Sequence, residues 1–167
     1  GKAFHTLRAG FREEPANAEI TADLERLAGA TGQWSDLLRD YTEQALTQKD
    51  KDLAIAEWLR IARVAQRDAA QAETAVEALR HVLRFDPSHE DAGRDLRHAL
   101  RQAKRWAELA EALVQQADAQ PPLEGAGTLL QAADLYEGRV GDMDLAAECY
   151  RRVLAADRRN RAAQTAL

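Results

Sequence analysis

Histidine and cysteine are the residue types in this chain that could do chemistry, and their spacing argues against common sites. No two of the four histidines, His5, His81, His89 and His98, lie four residues apart as paired metal ligands on a helix do. We interpret them as surface histidines, with a zinc site as the alternative. Cys149 is the sole cysteine, which excludes a disulfide framework and a CxxC pair.

The surroundings of Cys149 favour a structural role. It lies in a mixed apolar stretch, so we expect a small packed side chain. The alternative, a reactive thiol, requires Arg151 or Arg152 to face it. The glycines of Gly125-Ala126-Gly127 follow two prolines rather than a strand, which predicts a helix start and not a phosphate loop. With no catalytic, metal or cofactor motif found, we predict that this chain is not an enzyme and holds no cofactor.

The amino-acid composition predicts that helices position the candidate functional residues. The 167 residues include 35 Ala and 21 Leu against 9 Val plus Ile, and Ala and Leu favour helices over strands. The charge of −5 and the 46% hydrophobic content are typical of a folded globular protein. No apolar run reaches the ~18 residues of a membrane span. The excess of Ala and Arg is typical of a bacterial genome rich in GC.

A degenerate internal repeat organises the chain. A shift of 72 residues superimposes Trp34 on Trp106 and Pro15 on Pro87, and beyond residue 55 a shift of 71 fits better, as Ala75 on Ala146 shows. Turn residues divide each unit into four helices, predicted over 17–31, 34–48, 51–67, 70–86, 89–104, 106–119, 123–139 and 143–157. Because the breaks are short, consecutive helices must lie antiparallel and in contact.

Each unit therefore holds two helix hairpins of about 36 residues, close to the tetratricopeptide period of 34. The segments Trp58-x₂-Ile61-Ala62-x₂-Ala65 and Leu129-x₂-Ala132-Ala133-x₂-Tyr136 resemble the W-x₂-L-G-x₂-Y motif of that family. Pro87 matches its closing proline. The first hairpins depart from the motif, because Glu25 and Arg97 replace a small residue, and we expect wider helix packing there. Gly141 follows Tyr136 by five residues rather than four, which indicates one extra residue.

The resemblance implies an all-α fold, an α-solenoid of antiparallel hairpins wound as a right-handed superhelix. We predict one repeat domain over 1–167, with a partial repeat at 1–14, units at 15–86 and 87–157, and a partial repeat at 158–167. Both ends then cut through repeats, so we expect a fragment of a longer array. Trp34, Trp58 and Trp106 match repeat positions, which favours structural roles over the alternative of ligand-stacking platforms.

Charges on the first helix of each hairpin give the one functional prediction, because in this family those helices line a concave groove. Asp134 and Glu137 mark its distal, acidic end. An acidic or C-terminal peptide suits such a groove. The equal alternative is a solvated face in which each arginine pairs with acids on its own helix. The predicted groove residues are Arg26, Arg60, Arg63, Arg67, Arg94, His98 and Arg101.

The predicted function is a non-enzymatic scaffold that binds a protein or peptide partner in this groove. A first alternative is an architectural spacer or assembly module within a larger bacterial protein. A second, less favoured alternative is nucleic-acid binding through the arginines, which predicts a steep salt dependence of affinity. Exposed apolar faces of truncated repeats also predict end-to-end self-association.

Overall fold

Ten α-helices and no strand make up the chain in a computed structural model that describes all 167 residues. The predicted all-α class, built of consecutive helix hairpins, is confirmed. No helix has both the length and the apolar character needed to span a membrane. The helices are α1 (Lys2–Glu13), α2 (Ala18–Thr31), α3 (Trp34–Thr47), α4 (Lys51–Ala65), α5 (Ala72–Phe85), α6 (Glu90–Gln102), α7 (Trp106–Asp118), α8 (Pro122–Leu135), α9 (Met143–Ala156) and α10 (Arg161–Ala166).

Local capping residues set the helix ends where the sequence predicts them. The side chain of Asn17 accepts hydrogen bonds from the first backbone N–H groups of α2, and Asp50 and Asp142 do the same for α4 and α9. Gly32 ends α2 at φ +73°, a left-handed conformation in which a Cβ would be strained. The turn to α3 therefore needs only two residues, which brings α2 and α3 together as a hairpin.

The chain forms two compact units, Gly1–Ala99 and Leu100–Leu167. In the first unit α1 packs on α2, α3 packs on α4, and α4 packs on α5. The backbones of α4 and α5 lie close together over more of their length than those of α2 and α3. This agrees with the expected wider packing at Glu25. In the second unit α8 packs between α7 and α9, and α10 packs on α9.

Small residues permit the close helix crossings. Nearly half of the buried apolar side chains are alanines, including Ala62 and Ala65 of α4 and Ala75 of α5. At Gly125 of α8 the crossing is too close even for alanine, because a Cβ there would lie 3.0 Å from the carbonyl oxygen of Ala117 at the end of α7. The Ala excess in the sequence thus reflects the short distances between helix axes.

The extra residue indicated by Gly141 lies in a π-turn at the end of α8. Residues Tyr136–Val140 form this turn in place of the last α-helical turn predicted over 123–139. The carbonyl of Tyr136 accepts hydrogen bonds from the backbone N–H groups of Gly141 and Asp142. Gly141 has φ +79°, which ends the helix directly before the cap of α9.

Candidate functional site

Three arginines lie close together in sequence at the C-terminal end of α4. We call Arg60, Arg63 and Arg67 the arginine row: Arg60 and Arg63 lie one turn apart on the helix, and Arg67 lies in the turn directly after it. Arg63 and Arg67 have side chains 68% and 55% exposed, so their guanidinium groups remain open to solvent. Arg60 is half-buried. The fold thus brings these three predicted groove residues together.

A carboxylate from a neighbouring helix, that of Glu25 on α2, faces the arginine row. Its Oε1 lies 3.6 Å from Nη2 of Arg63, and its Oε2 lies 3.7 Å from Nη1 of Arg67. The side chain of Glu25 is 14% exposed, and the hydroxyl of Tyr41 lies 3.5 Å from Oε1. Glu25 stands where the repeat motif has a small residue, so the mismatch in the sequence marks the one acid that joins α2 to α4.

Aromatic rings of α3 support the guanidinium groups at either end of the row. Cζ of Arg60 lies 4.5 Å from the ring centroid of Tyr41, and Cζ of Arg67 lies 5.4 Å from the ring centroid of Trp34. Burial, followed by the charge of Glu25, raises the pKa of Tyr41, so this ring stays neutral under the arginine. These contacts hold the cations in place before any partner binds.

The other predicted groove residues have different surroundings. Arg26 pairs with Asp23 at 3.5 Å, and Arg94 pairs with Asp91 at 3.2 Å, each one helical turn away on its own helix. Arg94 also lies 3.6 Å from Asp95. This is the arrangement expected of a solvated face. The remaining two, on α6, are exposed: His98 and Arg101.

A cation on an aromatic ring recurs in the second unit. Cζ of Arg139, within the π-turn, lies 5.0 Å from the ring centroid of Trp106. The shift of 72 residues that relates Trp34 to Trp106 also relates Arg67 to Arg139, so the repeat itself could have identified this pair. The tryptophans that open α3 and α7 thus each pack under an arginine. Trp106 also lines a polar pocket of about 500 Å³ with Asp134.

Glu137, predicted at the acidic end of the groove, accepts a hydrogen bond of 2.9 Å from the hydroxyl of Tyr150. Burial and this hydrogen bond raise the pKa of Tyr150 to about 12. The bond ties the π-turn to α9. The carboxylate of Glu137 is therefore already engaged in a hydrogen bond within the second unit.

A buried ion pair that sequence reasoning missed joins α1 to α3. Asp40 has a side chain only 1% exposed, with Oδ2 2.6 Å from Nε of Arg8 and Oδ1 3.0 Å from its Nη2. Arg12 adds a contact of 3.3 Å. Burial alone would raise the pKa of Asp40, but the hydrogen bond and charge of Arg8, with those of Arg12, hold it below its ordinary value. The group is ionised and structural.

The other residues considered for chemistry are packed or capping groups. Cys149 is buried, and burial raises the pKa of its thiol, as expected of a small packed side chain. His81 stacks on Trp58 with ring centroids 3.9 Å apart, and Nδ1 of His89 accepts a hydrogen bond from the N–H of Ala92 at the start of α6. No group of three His, Cys, Asp or Glu side chains converges on a point that could hold a metal ion.

No protein-family model matches the chain, and no curated protein sequence matches it. Similar solved structures include two crystal structures of MamA, at 17% and 19% sequence identity and a TM-score of 0.46 each. They cover 86% and 89% of this chain and 80% and 77% of their own. The MamA RS-1 ArsTM double mutant is 18% identical with a TM-score of 0.47, over 94% of this chain and 84% of its own.

Proposed function

We propose that this chain is a non-enzymatic protein-interaction scaffold of the tetratricopeptide type, and that it binds an acidic peptide segment. The proposed groove lies along the first helices of the hairpins, with the arginine row of α4 as its main anion-binding surface. Arg26, Arg94, His98 and Arg101 complete the proposed groove as predicted from the sequence. Of these, Arg26 and Arg94 already pair with acids on their own helices, so we assign them the smaller contribution.

The observation that carries the proposal is the charge balance at the arginine row. The guanidinium groups of Arg63 and Arg67 share the carboxylate of Glu25, and both contacts to Glu25 exceed the 2.7–2.9 Å of a strong charge-assisted hydrogen bond. With Glu57 one turn before Arg60 on the same helix, the row has an excess of about one positive charge and many unused N–H donors. Carboxylates of a partner can accept those hydrogen bonds without displacing a well-formed internal pair.

Preorganisation strengthens this surface. Arginine side chains ordinarily lose considerable rotamer freedom when a ligand fixes them, about 0.5–1.5 kcal/mol each. Here Arg60 lies on the ring of Tyr41 and Arg67 on the ring of Trp34, so much of that loss accompanies folding instead. An acidic segment then has to order mainly its own chain.

A peptide-binding assay tests the proposal. The probe is a fluorescein-labelled decapeptide of Ala and Ser that carries two adjacent Glu residues, measured by fluorescence anisotropy at low and physiological salt. We expect Arg63→Gln together with Arg67→Gln to weaken binding at least ~10-fold, which corresponds to about 1.4 kcal/mol. The matched control is Arg151→Gln, an exposed arginine of α9 paired with Glu148, which should change affinity less than twofold.

Charge reversal of Arg63 and Arg101 together extends the test from α4 to α6. We expect this double variant to weaken binding of the same peptide by ~10-fold or more. Equal affinity of the original chain and of both double variants would remove the groove assignment. Such a result would leave the architectural spacer as the better account of this chain.

A further inference from the structure

A pocket of about 500 Å³ adjoins the arginine row at the N-terminal half of α4. Most of its surface is apolar and comes from the turn before α2 and from α4. The apolar side chains that line it are those of Pro15, Ala16, Leu53 and Ala56. The pocket lies wholly within the first unit, and Arg60 belongs both to its wall and to the arginine row.

Two buried polar atoms of residues that line this pocket have no hydrogen-bond partner. They are Oε2 of Glu57, an acceptor, and Nε of Arg60, a donor. The other oxygen of Glu57 accepts a hydrogen bond of 3.2 Å from Nε2 of Gln48, which fixes the orientation of the carboxylate. Buried polar atoms without partners are rare and costly in folded proteins. The acceptor and the donor belong to residues one helical turn apart. A ligand that carries a hydrogen-bond donor beside an acceptor would complement both.

We propose that this pocket binds the primary carboxamide of an Asn or Gln side chain of the partner segment. A carboxamide carries an NH₂ donor beside a C=O acceptor, so it can donate to Oε2 of Glu57 and accept from Nε of Arg60 at once. The methylene stem packs against Leu53 and Ala56. A carboxylate would meet Glu57 with like charge, and an aliphatic side chain would leave both polar atoms unsatisfied.

The inference rests on the proposed function, because the same peptide would continue onto the arginine row. From Arg60 to Arg63 the helix rises about 4.5 Å at 1.5 Å per residue, and Arg67 lies in the turn directly beyond the helix end, so an extended peptide covers the row in about three residues. The structure therefore favours a partner segment in which an Asn or Gln precedes or follows an acidic residue by two to four positions.

A set of peptides that differ at a single position tests this preference. Each is a fluorescein-labelled decapeptide of Ala and Ser with two adjacent Glu residues and a test residue three positions away, on either side. The test residue is Gln, Asn, Leu or Glu, and the affinity for the full chain is measured by fluorescence anisotropy. We expect the better of Gln and Asn to bind at least ~10-fold more tightly than Leu, because two hydrogen bonds are gained.

Two variants locate the preference in the pocket. Arg60→Lys retains the positive charge but removes Nε, and Glu57→Met removes the acceptor at similar length. Each should reduce the ratio of carboxamide to Leu affinity to below ~3. The exposed pair on α9 provides matched controls, Arg151→Lys and Glu148→Met, which should retain the full ratio. Helicity measured by circular dichroism establishes that each variant is folded.

The outcomes separate this inference from the proposed function. Acidic peptides that bind with no advantage for Gln or Asn overturn the carboxamide site and leave the scaffold proposal intact. Carboxamide peptides that bind equally well with Ser in place of both Glu residues support the pocket and contradict the acidic groove. A failure of every peptide to bind, or a preference for Glu at the test position, overturns the carboxamide site.

Discussion

Replacement of Asp40 by Asn tests whether the buried ion pair between α1 and α3 holds the first unit together. The carboxylate is 1% exposed and accepts two hydrogen bonds from Arg8, whose side chain is 18% exposed, and a third from Arg12, whose side chain is 59% exposed. Asn retains the size of Asp but has one acceptor fewer and no charge. Arg8 is then a mostly buried cation without a counterion.

The expected cost follows from these exposures. Breaking a buried pair by removing one partner costs about 3–5 kcal/mol. Since Arg8 can regain some hydration, we expect the lower part of this range to apply, and Arg12 adds less than ~1 kcal/mol because it is exposed. The variant should lose about 3–4 kcal/mol of unfolding free energy at neutral pH. For a unit of this size, that corresponds to a decrease in Tm of ~10 °C or more.

The pH dependence gives a second signature. The pKa of Asp40 is lower in the folded chain than in the unfolded chain, so its ionisation stabilises the fold above the unfolded pKa, near 4. That contribution disappears as pH falls through the folded pKa. The difference in stability between the original chain and Asp40→Asn should therefore be constant from about pH 5 to 8 and shrink below about pH 4.

Urea denaturation monitored by circular dichroism measures both signatures. The control is Asp36→Asn, whose half-exposed carboxylate lies 3.6 Å from Arg39 on the same helix and should contribute at most ~0.5 kcal/mol. A loss below ~1 kcal/mol for Asp40→Asn, or a loss that persists unchanged at pH 2–3, would refute the account of Asp40 as an ionised structural partner.

Three further predictions concern the second unit. Gly125→Ala places a Cβ 3.0 Å from the carbonyl oxygen of Ala117 and should cost about 1–3 kcal/mol in urea denaturation, whereas Gly127→Ala, which meets no atom within 4 Å, should stabilise α8 by about 0.5–1 kcal/mol; equal effects would contradict the close crossing. Cys149 is buried with a raised pKa, so iodoacetamide should label it at least ~100-fold more slowly in the folded chain than in urea, and equal rates would place it at the surface. Tyr150, with a pKa of about 12, should show no phenolate absorbance near pH 10, and ionisation there would contradict its burial and its hydrogen bond.

Helix positions could be predicted from the sequence because local chemistry sets them. Asn17, Asp50 and Gly32 act on backbone groups within four residues of themselves, so the pattern around each one is sufficient. The pair of Arg8 and Asp40 spans 32 residues. Its formation depends on how α1 and α3 are rotated about their axes, which no local pattern determines.

Glu25 could be predicted only in part. The sequence showed that it departs from the repeat motif, but not which residues it contacts. Its departure from the repeat motif predicted wider packing between α2 and α3. The structure adds that Arg63 and Arg67 turn towards it. The unsatisfied atoms of Glu57 and Arg60 had no signal at all in the sequence. Burial of individual atoms follows from the packing of α4 against its neighbours, not from residue type.

The π-turn returns the repeat offset locally from 71 to 72 residues. Leu59 corresponds to Leu130 at an offset of 71, but Arg67 corresponds to Arg139 at 72, so the second unit gains one residue between them. The π-turn at Tyr136–Val140 contains that residue. It carries Arg139 onto the ring of Trp106, as Arg67 lies on Trp34. The segment from Arg139 to the start of α9 is one residue shorter than the segment from Arg67 to the start of α5, which restores the offset of 71. The inserted residue and the shortened connection thus compensate each other, and the contact between arginine and tryptophan is retained despite the altered spacing.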